Sequence, residues 1–177
     1  SLPLLVVLLA LIVRGVAFEY RGKYPPPGVR DTDPQAAARW RARWDTAIVV
    51  GSVVPAFVWG ALFTTLLRGL EFSPEGMVIT APLDILNPVG LLGGLTMVAV
   101  FVLHAAVFLA LKTDGPIRTR ARAAALFITP AATLLLAGLL AWIQLARGHG
   151  WTAAVAVVAV LAVGVAGLLI SRQREGW

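Results

Sequence analysis

The sequence predicts an all-α fold, a polytopic bundle of five transmembrane helices. First, 59% of the 177 residues are hydrophobic and only 14% charged, where soluble domains carry about 25% charged residues. Second, five apolar stretches recur, at about 2–18, 46–67, 88–111, 123–145 and 152–170. Each is near the roughly 20 residues that cross a hydrocarbon core of about 30 Å at about 1.5 Å per residue. Third, the basic residues alternate in density from one connection to the next. With a mean hydropathy of +0.84, a water-soluble globular fold is excluded.

The first stretch, 2–18, is at the short limit for a span and opens at Ser1 inside apolar sequence, which predicts a cut first helix. It is not a signal peptide: no basic segment precedes it, Phe18-Glu19-Tyr20-Arg21 is no small-residue cleavage site, and its positive flank follows it. The connection 19–45 holds Tyr24-Pro25-Pro26-Pro27-Gly28, predicted extended and then turning. Asp33-Pro34 reads as N-cap and first helical residue. From Gln35 to Asp45 a short amphipathic helix is expected at the inner membrane surface, with Trp40 and Trp44 on one face, running straight into the second span. Within that span Pro55 removes the bond to residue 51 and predicts a kink, with Gly51 and Ser52 absorbing the freed carbonyls.

The connection 68–87 sets Glu71, Glu75 and Asp84 against Arg68, with Asp84 read as a solvated loop acid ahead of a cation or partner ligand. Asn87-Pro88 should cap the third span, in which Gly90 and Gly94 form a small-xxx-small pair with Gly93 adjacent. Such a face predicts close packing in the bundle or against another subunit. Thr129-Pro130 predicts a bend in the fourth span, and Trp142 and Trp151 bracket the short turn before the fifth.

Charge sets the topology. Arg21, Lys23, Arg30, Arg39, Arg41 and Arg43 lie in the first connection, Lys112, Arg118, Arg120 and Arg122 in the third, and Arg172 and Arg174 in the tail. The alternate connections hold only Arg68 and Arg147. The positive-inside rule places 19–45, 112–122 and the C-terminal tail in the cytoplasm. The net charge of +6 is thereby explained by topology, and nucleic acid is not an expected partner. Membrane lipid is.

Chemistry is sparse. There is no Cys, and the two His residues, His104 and His149, cannot by themselves build a metal site. Ionisable groups inside a bilayer are costly and so are functional candidates. Arg14 can snorkel to the inner surface or pair with Glu19 or Asp45; contact with a lipid, a quinone or a partner-subunit charge is the alternative. His104, roughly 24 Å along the third span, is read as a neutral histidine hydrogen-bonded within the bundle, ahead of a proton relay or a haem ligand. Met97 is on the same face but about 10 Å away, so the two could not clamp one iron. Pro55 and Pro130 fall at different depths and no internal repeat pairs them, against a secondary transporter.

Several strings say more. Arg14-Gly15-Val16-Ala17-Phe18-Glu19-Tyr20-Arg21-Gly22-Lys23, Trp40-Arg41-Ala42-Arg43-Trp44-Asp45, Gly51 to Gly60 and Leu66-Leu67-Arg68-Gly69 resemble subunit II of the cytochrome bd-type quinol oxidases. So do Leu86-Asn87-Pro88 followed by Gly90 to Leu95, Leu111-Lys112-Thr113-Asp114-Gly115, and Arg118 to Arg122. The similarity runs from residue 4 to about 122 in the family's order. It implies an internal fragment of a subunit about twice as long, in the bacterial cytoplasmic membrane. It further implies a complex that oxidises a membrane quinol and reduces dioxygen to water. Haem b and haem d are then expected on the partner, subunit I; this chain binds none and supports assembly of the haem site. No catalytic, cofactor or metal residue is assigned. Arg14, Glu19, Asp45, Pro55, Gly90, Gly93, Gly94 and His104 are the structural or interface candidates. The alternative function is a piece of a small-molecule permease.

Overall fold

The computed structural model describes residues 2–26, 33–69 and 82–171. Pro27, Gly28, Arg30, Glu71, Glu75, Arg172 and Arg174, named above, lie outside the described residues. Among the described residues there are five α-helices, α1 (Leu2–Arg21), α2 (Pro34–Arg68), α3 (Pro88–Lys112), α4 (Gly115–Arg147) and α5 (Gly150–Ser171), with a 3₁₀ turn at Pro82–Leu86. All five are long and apolar enough to cross a membrane. The chain divides into two compact units, Ser1–Val58 and Trp59–Trp177.

In the first unit, α1 turns a stripe of Val7, Ala10 and Ala17 inward and leaves its Leu and Ile side chains outside. α2 starts where the sequence places its cap: the Asp33 carboxylate accepts from the backbone N–H of Gln35 at 2.9 Å and of Ala36 at 3.2 Å, with Pro34 opening the helix. The surface segment 34–45 and the second span are one helix of 35 residues. That helix continues through Pro55, which is buried. Ser52 donates to the Ile48 carbonyl at 2.7 Å, one turn before its own position, and not to the carbonyl that Pro55 frees.

In the second unit, α2 ends at Gly69, whose φ of 104° only glycine adopts without strain. Asn87 caps α3, its side-chain oxygen accepting from Val89 and Gly90 at 3.0 and 2.9 Å. α3 and α4 form a tight hairpin. Residues 115–122, expected in a connection, are the first two turns of α4 instead. Pro116 near the helix start and the run Arg118–Ala125 favour that earlier start, so only Thr113 and Asp114 connect the two helices, with Gly115 in the left-handed region at φ 66°. Inside α4, Thr129 donates to Ala125 and Thr133 to Thr129 around Pro130. The α4–α5 turn is tied by Gln144, whose amide donates to the His149 carbonyl and whose oxygen accepts from Thr152.

The core of this unit is built largely of small groups: Ala106, Ala125 and Ala132 with Leu103 and Ile170. Between apolar helices in lipid there is little hydrophobic driving force, so close approach of small side chains supplies the attraction. Large apolar side chains face outward on every span, among them Leu9, Phe127, Leu134 and Leu161. Exposed apolar surface of this extent suits a chain that crosses a membrane.

Candidate functional site

The first cluster gathers where α1 ends and α2 begins. Tyr20 stacks on Trp44 with centroids 5.6 Å apart, Trp44 meets Trp40 edge-on at 5.7 Å, and Tyr24 tilts over Trp40 at 6.2 Å. The Trp40 indole N–H donates to the Tyr20 carbonyl at 2.9 Å, which also accepts from the Lys23 backbone N–H at 3.1 Å as α1 ends. Two ion pairs flank the rings. Arg21 binds both oxygens of Asp45, and Lys23 binds Glu19 one turn back. The hydrogen bond from Arg21 holds the Asp45 carboxyl below its ordinary value, and that from Lys23 does the same for Glu19; the cations are shifted upward in turn.

Arg14 is therefore not the partner of Glu19 or Asp45. Both carboxylates are taken by bases of the connection, which reach them at the membrane surface without drawing charge into the span. Arg14 is half-buried and lays its guanidinium over the Phe18 ring, 5.6 Å from the centroid. Its backbone backs onto Gly51: a Cβ at Gly51 would lie 2.7 Å from the Ala10 carbonyl oxygen and 2.8 Å from the Arg14 Cβ. Gly51 thus lets the backbones of α1 and α2 come close together, a role that its reading as kink relief does not include. Its spacing from Pro55 masked that.

The second cluster is the crossing of α2 and α3. A Cβ at Gly60 would fall 2.5 Å from the Gly93 oxygen and 2.6 Å from the Met97 Cβ, and one at Gly93 would overlap the Thr64 hydroxyl. Thr64 and Thr65 are buried and return their hydroxyls to the Gly60 and Ala61 carbonyls at 2.8 Å each. The Asn87 amide reaches Thr65 at 3.3 Å. Of the three candidate glycines of α3, Gly93 makes the crossing, and Gly94 is buried. At Gly90 the missing Cβ leaves room for the Ile85 carbonyl of the 3₁₀ turn. The small-residue spacing points to a face, but which member meets which element depends on how the neighbouring turn folds over the helix start.

His104 departs most from expectation. It lies on an exposed face of α3, and no hydrogen bond to it is found among the described residues. The face directed at α4 is occupied by Leu103 and Ala106, and a helical step of about 100° per residue turns residue 104 away from it. Among the described residues no three His, Cys, Asp or Glu side chains gather as a metal site.

Five apolar helices joined by small buried residues, with charge and aromatic rings at the ends, define a multi-pass membrane protein. The family model for cytochrome bd terminal oxidase subunit II matches residues 1–177. The chain belongs to that family. It is 33% identical over 181 residues to the cytochrome bd ubiquinol oxidase subunit 2 of Bacillus subtilis, covering 99% of this chain and 50% of the relative. It is 35% identical over 126 residues to the cytochrome bd-I ubiquinol oxidase subunit 2 of Escherichia coli strain K12, covering 69% of this chain and 30% of that protein. The chain therefore spans half the length, or less, of these curated relatives. The match to the whole chain extends the resemblance past residue 122, through α4 and α5. It gives no support to the permease alternative.

Proposed function

We propose that the protein is the haem-free subunit of a respiratory quinol:dioxygen oxidoreductase, and that it supports assembly and stability of a haem-bearing subunit I. The family match over residues 1–177 carries this reading. Among the described residues His104 and Met97 do not make a pair of axial haem ligands. His104 and Met97 are on one helix, two turns apart, and Met97 is directed to the α2 crossing through Gly60; they offer no axial pair. The electron-transfer chemistry then resides on the partner, with haems b and d, and membrane quinol is the substrate of the complex.

The cluster of Tyr20, Trp40 and Trp44 is the level of the cytoplasmic interface in this proposal, with residues 34–45 lying at that surface. Indole and phenol rings favour the headgroup depth, and the Arg21, Lys23, Glu19 and Asp45 charges beside them need water. Residues 19–45, the connection 112–122 and the C-terminal tail are cytoplasmic on the same reading, as the distribution of basic residues supports.

The test is quinol-dependent oxygen uptake by bacterial membranes in which the full-length gene is deleted and then restored. Loss on deletion and recovery on restoration is expected. Unchanged uptake, together with solute flux in vesicles holding this protein alone, would overturn the proposal.

A further inference from the structure

Where α3 ends and α4 begins, Lys112, Arg118, Arg120 and Arg122 stand close along the chain, with Asp114 the one acid among them. Two of these bases are engaged within the protein. Arg122 donates to the Ile170 carbonyl at the end of α5, at 2.6 Å, and Arg118 is 3.7 Å from the Asp114 carboxylate. That carboxylate is 98% exposed, so its hold on Arg118 is weak. Lys112 and Arg120 are exposed and meet no acid among the described residues. The contrast is with the ends of α1 and α2, where Arg21, Lys23 and Arg39 each have a carboxylate. Positive charge at the α3–α4 hairpin is thus largely uncompensated.

The charge is at the edge of the hydrocarbon. Lys112 directly follows the apolar stretch 88–111, and Arg120 comes roughly 4.5 Å before the stretch 123–145. Apolar side chains reach the same level: Leu111 is 50% exposed and Ile117, next to Arg118, 59%. An occupant of this surface meets cations and bare apolar side chains at once, so it has a negative head and an apolar body. An acidic loop of a protein supplies the first and not the second. An anionic phospholipid supplies both, and the bilayer that α3 and α4 cross supplies the phospholipid.

We infer that Lys112, Arg118 and Arg120 form a headgroup site for an anionic phospholipid, its phosphodiester held by the bases and its acyl chains running along the outward side of α3 from Leu111. The site requires only that α3 and α4 cross a bilayer, so it is independent of the oxidase reading.

Dioctanoyl phosphatidylglycerol and dioctanoyl phosphatidylcholine are titrated separately into the delipidated full-length protein in nonionic detergent, and bound lipid is counted by native mass spectrometry. The glycerol lipid should bind more tightly, with a preference that shrinks as salt is added. Replacing both Lys112→Gln and Arg120→Gln should weaken it by roughly ten- to thirtyfold and leave binding of the choline lipid and the melting temperature unchanged. Lys112→Arg with Arg120→Lys, which keeps both charges, should bind as the unaltered protein does. Arg41→Gln with Arg43→Gln removes the same charge from the connection 19–45 and should leave the preference intact. Equal affinity for the two lipids, a preference that survives the loss of Lys112 and Arg120, or an equal loss from the Arg41 and Arg43 variant would overturn the inference. So would a carbodiimide cross-link in native membranes from Lys112 to a carboxylate of another chain, which would give the site to a protein.

Discussion

In the unit that runs to Val58, the ends of α1 and α2 meet through Tyr20, Trp40, Trp44 and the Arg21–Asp45 pair, with side chains wholly or partly open to water. In the unit from Trp59, α2 meets α3 through Gly60, Thr64 and Gly93, all of them buried. The two contacts differ in what they tolerate. An exposed ion pair gains little and is screened by salt, so one partner can go with small loss. A crossing where backbones nearly touch has no room for a single added carbon, and the cost of overpacking is about 1–3 kcal/mol. Gly51 complicates the contrast usefully, because it brings the second kind of contact into the first unit.

The largest effect should come from Gly93→Leu. Even its first carbon overlaps the Thr64 hydroxyl and the branched remainder has no space, so the yield of assembled protein from membranes should fall by tenfold or more, at about 1.4 kcal/mol per factor of ten. Assembly at the normal level would show that the crossing is looser than described. Gly51→Ala comes next. Its Cβ meets the Ala10 carbonyl and the Arg14 Cβ, and a drop in detergent thermal stability is expected, smaller than that from Gly93→Leu because one methyl is added where α1 is otherwise largely exposed. If Gly51→Ala is neutral, the contact of α1 with α2 rests on the aromatic cluster alone.

Trp40→Phe keeps the ring contacts and removes the bond to the Tyr20 carbonyl. It should cost about 0.5–1.5 kcal/mol, read as faster proteolysis of the connection 19–45. Asp45→Asn should be smaller again and should vanish in high salt. An effect that persists at high salt would mean that the Arg21–Asp45 pair is less open to solvent than it is here.

The pH dependence of this cluster follows the same logic. Asp45 and Glu19 have carboxyls held below their ordinary values of 3.8 and 4.5. Their contribution is fully present above those values and is lost as pH falls through the lower folded ones. Arg21 and Lys23 are shifted upward from their ordinary values by the hydrogen bonds to Asp45 and Glu19, so their contribution is present below those ordinary values and is lost only as pH rises beyond them in strongly alkaline solution. Between pH 5 and 9, then, the cluster should add no slope to stability, as thermal unfolding in buffers across that range would register. Weakening should appear only in more acidic solution.

Much of this was legible in the sequence. Length and hydropathy located all five helices, because a helix that must cross a hydrocarbon core has few ways to be written. Asp33-Pro34 and Asn87-Pro88 located two helix starts, since capping is a local matter of two or three residues. What the sequence did not disclose depends on the rotation of one helix against another. Arg14 and Arg21 are both within reach of Asp45 along the chain, and only the packed ends of α1 and α2 give Asp45 to Arg21. Gly90, Gly93 and Gly94 share a pattern, yet one faces the 3₁₀ turn and another the crossing. His104 was expected inside because polar groups in membranes turn inward, and the Leu103–Ala106 edge of α3 had already taken that place. The residues at 115–122 were read as a connection from their charge, although arginine and alanine are good helix formers and can extend a span beyond the hydrocarbon.

The proposed function places this chain in a complex whose haems are held elsewhere. The most direct test is to purify the full-length protein from native membranes in mild detergent, record the reduced-minus-oxidised visible spectrum, and then separate the chains and assay haem in each. Bands of b- and d-type haem that follow a larger co-purifying chain, with none on this one, are the result the account predicts. A colourless preparation, or haem that remains with this chain after separation, would contradict it.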